Sequence, residues 1–272
     1  MSSYLSEYPG VIHFEQKGHV AYLTFDNPKT LNALSLDTFA SMNTLFDQMS
    51  QDEEIWGVIL TGAGRSFVAG ADLQDEKLKV SDPANIPPLP KREQLLYIHE
   101  TFNKVARFPR PVIAAINGYA LGGGAELSLC CDFRIASSKA KIGFPETKLG
   151  AMPGYTGPSR AVRILGVTVA KEMIFTSKHY TAAEAKEMGF VSKVVEPDEL
   201  MPACDELMGQ IIKQAPIAVK YSKIMCNNAA EMSLEVCLEH ERLIASIMQT
   251  SKDFAEGVAA FREKRDPVFH NE

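Results

Sequence analysis

The sequence has no long apolar run, no excess of positive charge and no paired cysteine motif. Its 272 residues include 28 lysines and arginines against 34 aspartates and glutamates, which gives a formal net charge of −6. This acidic balance argues against nucleic acid as the main partner. No segment approaches the roughly 20 consecutive apolar residues that cross a bilayer, so no membrane partner is expected either.

Cysteines and histidines are too scattered to suggest a disulfide framework or a metal centre. None of the five cysteines forms a CxxC pair, and the adjacent Cys130 and Cys131 are more simply interpreted as buried thiols. The six histidines are dispersed, and His99, on a predicted helix, is interpreted as a surface or boundary residue. The N-terminus, MSSYLSEYPG, lacks the basic and apolar regions of a signal peptide. These absences predict a reducing, cytoplasmic location and no bound metal.

The chain is long enough, and at 46% hydrophobic apolar enough, for one large α/β domain or a domain with a small appendage. Apolar spacing predicts helices alternating with short strands in the first half. The predicted elements are a hairpin over 11–25, a helix over 36–49, a strand over 58–60, a helix marked by apolar residues from 95 to 105, a strand over 112–116, a helix over 122–131 and a last strand over 133–135. This order indicates a stacked α/β core.

The second half of the sequence is more helical. A capping box that begins at Thr181 and a stop at Gly189 enclose a short helix, and residues 191–195 alternate like an edge strand. Longer helices are predicted over residues 199–213, 216–229, 233–249 and 252–263. Residues 75–92, with prolines at 83, 87, 88 and 90, are predicted to form a mobile loop.

The most informative stretch runs from Pro111 to Pro153. A buried strand leads into three consecutive glycines, 122–124, which open an apolar helix. The first N–H groups of a helix have no partner inside it and can bind an anion or an oxyanion. Glu126 lies in the first turn of this helix, and Glu146 follows 20 residues later. Two carboxylates beside exposed amides predict proton-transfer chemistry.

Each of these features also has a simpler interpretation. Glu126 could merely complement the helix dipole, a contribution of about 0.3–1 kcal/mol, although burying a carboxylate costs more than that. Glu146 could be an ordinary loop residue. The glycines could serve close packing alone, and they do not fit the G-x-G-x-x-G pattern of dinucleotide sites. The combination of all three features favours a catalytic site.

Five segments in register resemble the crotonase (enoyl-CoA hydratase/isomerase) superfamily over nearly the whole chain. They are NPKTLNAL at 27–34, SFVAGADL at 66–73, NGYALGGGAEL at 117–127, KIGFPETKLGAMPG at 141–154 and FREKR at 261–265. The resemblance implies an α/β fold, a crotonase-type spiral of ββα repeats over residues 1–198 that carries the acyl-CoA site. It also implies a helical C-terminal trimerisation region over 199–272, so homotrimers or hexamers are expected.

The resemblance also implies an activity. Members bind an acyl-CoA thioester and stabilise the enolate at its carbonyl, and by motif position the backbone donors here are Ala71 and Gly123. Hydratases of the family use two glutamates, which match Glu126 and Glu146. Glu126 would orient and deprotonate a water, and Glu146 would protonate C2. An enoyl-CoA hydratase is therefore expected, in a role such as fatty acid metabolism, with no cofactor beyond the coenzyme A of its substrate.

Further positions match substrate contacts of the family. They are Lys29, Leu31, Ala33, Asp72, Leu73, Gly154, Phe261 and Lys264, of which the last two would reach an adjoining subunit. Glycine at 154 lacks the carboxylate nucleophile of the resembling dehalogenases, so a covalent mechanism is set aside. Two segments differ from the usual family sequence, and both lie near the acyl pocket in the family. One is the proline-rich stretch 75–92, and the other is the run YTGP at 155–158, which replaces a usual GGTQ. The identity of the substrate's acyl group is therefore left open.

Two rival functions stay open at this level. An enoyl-CoA isomerase, or another enolate-forming acyl-CoA enzyme, would use the same donors, and product analysis separates it from a hydratase. A binding protein that has kept the scaffold, such as an RNA-binding relative, would need a basic helix face. The helix near 92–107 carries Arg92, Lys104 and Arg107, but also Glu93 and Glu100.

Overall fold

The computed structural model of the chain describes residues 11–76, 78 and 88–272. The strands are β1 (Ile12–Lys17), β2 (Val20–Phe25), β3 (Gly57–Gly62), β4 (Ser66–Val68), β5 (Val112–Ile116), β6 (Tyr119–Leu121), β7 (Phe133–Ser137), β8 (Lys141–Gly143), β9 (Tyr180–Thr181) and β10 (Lys193–Val195). The helices are α1 (Leu36–Gln51), α2 (Pro88–Ala106), α3 (Gly123–Ser128), α4 (Gly157–Leu165), α5 (Val167–Thr176), α6 (Ala182–Glu187), α7 (Leu200–Ile211), α8 (Pro216–Ala229), α9 (Leu234–Met248) and α10 (Lys252–Glu263). Short 3₁₀ helices cover Pro28–Thr30, Pro145–Leu149 and Pro197–Glu199.

The strands form two sheets, and successive strands along much of the chain are added to the two sheets alternately. The larger sheet has the order β1-β2-β3-β5-β7-β10, with β1 antiparallel to β2 and all other neighbours parallel. The smaller sheet has the order β4-β6-β8-β9, parallel except at β9. The pairs β3–β4, β5–β6 and β7–β8 are consecutive in the chain. Each of these three turns therefore adds one strand to each sheet.

Both faces of the larger sheet are buried, which explains the unbroken apolar run of β5. Val112, Ala114 and Ile116 belong to the main core, together with buried residues of α1 and α2. Ile113 and Ala115 point to the other face, where a second cluster includes Leu200, Ala203, Cys204 and Met208 of α7. Successive side chains of a strand point to opposite faces, so a strand covered on both sides has no polar positions.

A largely buried ion pair attaches α8 to this core. Lys223 donates to the Asp132 carboxylate at 2.7 Å and to the Arg110 carbonyl at 3.0 Å. The same Asp132 oxygen accepts from the N–H of Val112, the first residue of β5, at 2.7 Å. Burial raises the pKa of Asp132, and the Lys223 ammonium opposes that shift. Removing either partner alone would leave a buried charge uncompensated.

Most of the regular elements expected from the sequence are confirmed to within a few residues. They are the hairpin over 11–25, the helix over 36–49, the strands over 58–60 and 112–116, the capped helix after Thr181, the edge strand near 191–195 and the four C-terminal helices. Among the described residues, no helix is long and apolar enough to cross a membrane. The division of the chain at residue 198 stays a prediction.

Other expectations were wrong in extent. The helix predicted to run through Cys131 ends at Ser128, and Cys130 and Cys131 continue in tighter turns. The strand over 133–135 extends to Ser137 and is followed by three more strands. The loop predicted over 75–92 lies mostly outside the described residues, but from Pro88 onward the chain is already α2. Prolines suit the first turn of a helix, where N–H groups have no partner inside the helix.

Candidate active site

Three neighbouring strands of the smaller sheet bring the candidate site together. Gly70 and Ala71 follow β4, the glycine triplet 122–124 follows β6, and Glu146 follows β8. β4 and β8 both pair with β6 in parallel, so the carboxyl ends of all three strands meet at one edge of the sheet. Ligands of parallel sheets bind beyond this edge.

The first candidate donor, Ala71, lies in a short bridge with Leu34. The Leu34 N–H donates to the Gly70 carbonyl at 2.8 Å, and the Asp72 N–H donates to the Leu34 carbonyl at 2.9 Å. In this pairing the N–H of the middle residue, Ala71, points away from Leu34. Within the described part of the chain this N–H has no hydrogen-bond acceptor, so it is available to a ligand.

The second candidate donor, Gly123, is the first residue of α3, whose first-turn N–H groups have no acceptor within the helix. Gly122 before it has a φ of +52°, a conformation that favours glycine. A Cβ on Gly122 would lie 2.5 Å from Oε1 of Glu146 and 3.7 Å from the Cα of Gly70. The turn that carries Ala71, the glycine triplet and Glu146 therefore converge on one place.

Glu126 is held by the segment that leads into α4. Its side chain is only 1% exposed, and its Oε1 accepts the N–H groups of Tyr155 at 2.8 Å and Gly157 at 2.6 Å. Burial raises the pKa of Glu126 to about 8; the negative charge of Glu146 adds to this shift, and the two N–H groups oppose it. A carboxyl with such a pKa can take up and release protons near neutral pH.

Glu146 lies in the 3₁₀ helix Pro145–Leu149 that follows β8. Its Oε2 is the only buried side-chain oxygen or nitrogen in the described residues without a hydrogen-bond partner. Burial raises its pKa as well. A buried carboxylate oxygen without a partner costs folding free energy, which points to a partner supplied by a ligand or water.

The ring of Tyr155 lies between the candidate site and the hydrophobic core, a role that the sequence reasoning missed. Its ring packs edge-on against Phe39 and Phe102, with centroids 5.7 and 6.0 Å away. A Cβ on Gly123 would lie 3.0 Å from its Cδ2, so the ring lies against the candidate donor. Burial, with the charges of both glutamates, raises the pKa of its phenol to about 12. The only signal in the sequence was the unusual run at 155–158.

The expected substrate-binding positions divide into two groups. Lys29, Leu31, Ala33, Asp72 and Leu73 lie on the two segments that the Leu34–Ala71 bridge joins, and Gly154 lies in the turn before α4. Phe261, 85% exposed, and Lys264 lie at the end of α10. No hydrogen bond within the described chain joins that end of α10 to the turns around Ala71 and Gly123.

Asn32 lies between two of the expected substrate contacts, Leu31 and Ala33, and has a structural role there. Its side chain is 2% exposed. It donates to the carbonyls of Ala63 and Ser66 and accepts the N–H of Asn27 at 2.9 Å. It adopts a φ of +59°, a conformation that asparagine tolerates better than most residues. Asn32 therefore fixes the shape of the turn that carries the expected substrate contacts.

Metal ligands are not grouped anywhere in the described residues, since no cluster of three or more histidine, cysteine, aspartate or glutamate side chains is suitably placed. The chemistry that this site can perform with its own groups is proton transfer at two carboxyls beside two backbone donors. These are the requirements for forming an enolate next to a carbonyl group.

Comparisons with known proteins agree with this geometry. A family model described as enoyl-CoA hydratase/isomerase matches residues 15–272. The short-chain-enoyl-CoA hydratase of Clostridium acetobutylicum is 40% identical over 92% of this chain and 94% of its own, and the crotonyl-CoA hydratase of Syntrophomonas wolfei is 36% identical over 95% and 97%. The crystal structure of an enoyl-CoA hydratase from Bacillus anthracis superposes with a TM-score of 0.89 at 38% identity, covering 96% of this chain and all of that one. The crotonase-type α/β fold is thus confirmed, and the chain belongs to the enoyl-CoA hydratase/isomerase family of the crotonase superfamily.

Proposed function

We propose that this protein is an enoyl-CoA hydratase, which adds water across the double bond of a trans-2-enoyl-CoA to give a 3-hydroxyacyl-CoA. The observation that carries the proposal is the convergence of the buried Glu126 carboxyl and of Glu146, whose Oε2 is buried, on the turns that carry the available N–H groups of Ala71 and Gly123. The names of the relatives support a short acyl chain, such as the four-carbon crotonyl group.

The two backbone donors would hold the thioester oxygen. As water adds at C3, negative charge moves onto this oxygen, and N–H groups already aimed at it stabilise the enolate. A single donor of this kind contributes about 10²–10³ in rate in other enzymes. The Leu34–Ala71 bridge and the helix start at Gly123 fix both donors before substrate arrives, so no reorganisation is needed at the moment of reaction.

The two carboxyls would divide the proton transfers. Glu126, held through Oε1 by two N–H groups, orients the water and takes one of its protons as the hydroxyl bonds to C3. Glu146 delivers a proton to C2, so the reactive form of the pair is the one in which Glu126 is ionised and Glu146 is protonated. Exchange of a proton from Glu126 to Glu146 after product release restores the starting state. Because Glu126 must be ionised to act as base, hydration should become faster as the pH rises toward its pKa of about 8.

Substrate binding would use both groups of expected contacts. Lys29, Leu31, Ala33, Asp72 and Leu73 would meet the coenzyme A moiety, and no separate cofactor is required. Phe261 and Lys264 would reach the nucleotide bound at an adjoining subunit. This requires an assembly of subunits, a homotrimer or hexamer. Many exposed apolar side chains on α9 and α10 support such an assembly; they include Leu234, Val236, Leu238, Leu243, Ile247, Phe254 and Phe261. The expected location of the protein is the cytoplasm.

The test is the loss of enoyl-thioester absorbance when the purified protein meets crotonyl-CoA, with the product identified by mass. A product heavier by one water supports hydratase activity. An unchanged mass with a shifted double bond would instead support an enoyl-CoA isomerase, which needs the same oxyanion donors. No reaction with crotonyl-CoA, longer enoyl-CoAs or cyclic ones would overturn the proposal.

A further inference from the structure

One peptide group links Glu126 to the neighbouring helix α2. The N–H of Tyr155 donates to Oε1 of Glu126 at 2.8 Å. The carbonyl at the other end of the same peptide bond belongs to Gly154, and Nε2 of His99 lies 2.6 Å from its oxygen. A carbonyl oxygen can only accept, so Nε2 of His99 carries the proton and donates it. The result is a continuous series of donors and acceptors from His99 to the carboxylate.

We propose that His99 is a positioning residue for Glu126, acting through the Gly154–Tyr155 peptide. A peptide group is planar, so a hydrogen bond that fixes its carbonyl also fixes the direction of its N–H. A hydrogen bond to the carbonyl further polarises the group and strengthens the N–H as a donor. His99 thereby sets the direction of one of the two bonds that hold the carboxylate, without touching the substrate.

A second contact from α2 to the same segment supports this assignment. Asn103, one helical turn after His99, accepts from Nη2 of Arg160 at 2.7 Å. Arg160 also donates to the side chain of Thr156 at 2.9 Å. One turn before His99, Leu95 would lie 3.9 Å from a Cβ placed on Gly154. Positions i, i+4 and i+8 of a helix share one face, so one face of α2 positions the segment 154–160.

Charged groups around this contact come from both elements. Arg160 of α4 is bound to Asn103, and Glu100 of α2 accepts from the amide of Asn103 at 3.3 Å. Around Glu126 itself lie Glu146 and the phenol of Tyr155, which stays protonated at neutral pH because its pKa is raised to about 12. The measurements below follow the titration of Glu126.

The inference rests on the proposed function only for the catalytic role of Glu126. Its hydrogen-bond geometry can be tested without any substrate. The Tyr155 N–H lowers the pKa of Glu126, so weakening that bond should raise the pKa further. The pKa in the folded protein can be obtained from the pH dependence of thermal unfolding, measured as the difference between each His99 variant and the same variant carrying Glu126→Gln.

The experiment compares three substitutions of His99. Leucine removes the donor, glutamine places an amide N–H near the position of Nε2, and asparagine carries the same amide on a chain too short to reach. The matched control is His19→Leu, because His19 also bonds a backbone carbonyl, that of Glu54 at 2.8 Å, but at the turn between β1 and β2. Circular dichroism checks that each variant is folded.

We expect His99→Leu and His99→Asn to lower kcat for crotonyl-CoA about five- to tenfold, the effect of losing one hydrogen bond, with little change in KM. The acidic limb of the pH–rate profile and the unfolding-derived pKa of Glu126 should both move to higher pH. His99→Gln should restore most of the activity and both pKa values, and His19→Leu should change neither. The inference is overturned if His99→Leu keeps the wild-type Glu126 pKa, or if glutamine performs no better than leucine. A wild-type protein that hydrates neither crotonyl-CoA nor longer or cyclic enoyl-CoAs would overturn the proposed function, while the unfolding measurement would still decide the inference.

Discussion

The two glutamates of the site are supported in opposite ways. Glu126 is in the first turn of α3, almost completely buried, with one oxygen bound to two backbone N–H groups. Glu146 is in a 3₁₀ helix, and its buried Oε2 has no partner among the described residues. One carboxyl is thus oriented before substrate binds, whereas the other leaves its hydrogen-bonding capacity for what enters the site.

This difference identifies the two carboxyls as groups whose burial lowers the stability of the folded protein. Burial raises the pKa of both carboxyls, so each is less stable as an anion than it would be in water. The N–H groups of Tyr155 and Gly157 offset part of that cost for Glu126, and no group of the described residues does so for Oε2 of Glu146. Sites that need reactive groups commonly retain such unfavourable burial.

The strongest way to test the comparison is to neutralise each carboxyl in turn. Glu126→Gln and Glu146→Gln should each lower kcat by about 10²–10⁴, the usual contribution of a general acid or base, and should leave KM largely intact. Steady-state kinetics with crotonyl-CoA measures both values. Near-normal hydration by either variant would show that the missing carboxyl is not a proton-transfer group.

Crowding the carboxyls without changing them should give the next largest effect. A Cβ on Gly157 would lie 2.6 Å from Oε1 of Glu126, and one on Gly122 would lie 2.5 Å from Oε1 of Glu146. Because small displacements of catalytic groups cost about 10²-fold, we expect Gly157→Ala and Gly122→Ala each to lower kcat by roughly that factor. Only Gly122→Ala should also destabilise the backbone, because only Gly122 has a positive φ.

A third glycine provides the control for these variants. Gly209 in α7 has open space where a Cβ would stand. Gly209→Ala should keep wild-type kcat and raise the Tm by a few degrees, since alanine is favoured over glycine in helices by about 1 kcal/mol. Equal losses of activity at all three positions would show that the effect does not come from the carboxyls.

The burial of Glu126 should be visible in the pH dependence of stability. Its pKa is about 8 when folded, against 4.5 as the ordinary value, so the folded state binds the proton more tightly. This contribution is complete below pH 4.5 and is lost as the pH rises to about 8. Each unit of pKa difference corresponds to about 1.4 kcal/mol, so just above pH 8 the Tm of Glu126→Gln should exceed that of wild type by about 5 °C or more.

The same scan contains its own control, because the advantage of Glu126→Gln should disappear toward pH 4.5, where the wild-type carboxyl is protonated and neutral. Thermal unfolding followed by circular dichroism measures both ends of the range. A difference in Tm that does not change with pH would mean that the Glu126 carboxyl titrates normally in the folded protein.

The smallest effect is expected at the hydroxyl of Tyr155. Its ring packs on Phe39 and Phe102 and its backbone N–H holds Glu126, and Tyr155→Phe keeps both. This variant should change kcat by less than about threefold, because no hydrogen bond of the hydroxyl to the described residues is lost. Tyr155→Ala should instead destabilise by about 2–4 kcal/mol through loss of the ring. A large fall in kcat for Tyr155→Phe would assign the phenol a direct part in the reaction.

The parts of the molecule that the sequence predicted are those with a repeating pattern. β5 is a five-residue apolar run and α1 has buried residues three or four apart, so both stand out by periodicity alone. The glycine triplet and Glu126 were recognised because a helix start has predictable backbone donors. The family motifs added the pairing with Ala71 and the expected roles of Glu126 and Glu146.

The parts that were missed depend on contacts between distant residues. Strands β4, β6 and β8 have three residues each, too few for a periodic signal, although their ends position the whole site. Helices α4 and α5 begin at glycines or directly after one, which obscured them. His99 looked like a surface residue because its partner is a backbone carbonyl 55 positions away, and a carbonyl leaves no mark in the sequence.

The bridge between Leu34 and Ala71 has a consequence for how this scaffold can diverge. The proposed oxyanion donor at position 71 is a backbone group, and its direction depends on the hydrogen bonds of Gly70 and Asp72 to Leu34 rather than on a methyl side chain. Substitutions at Ala71 other than proline would therefore leave the donor in place. Substitution of the two carboxyls could therefore change the reaction that this scaffold catalyses. The backbone donor that stabilises an enolate would stay the same.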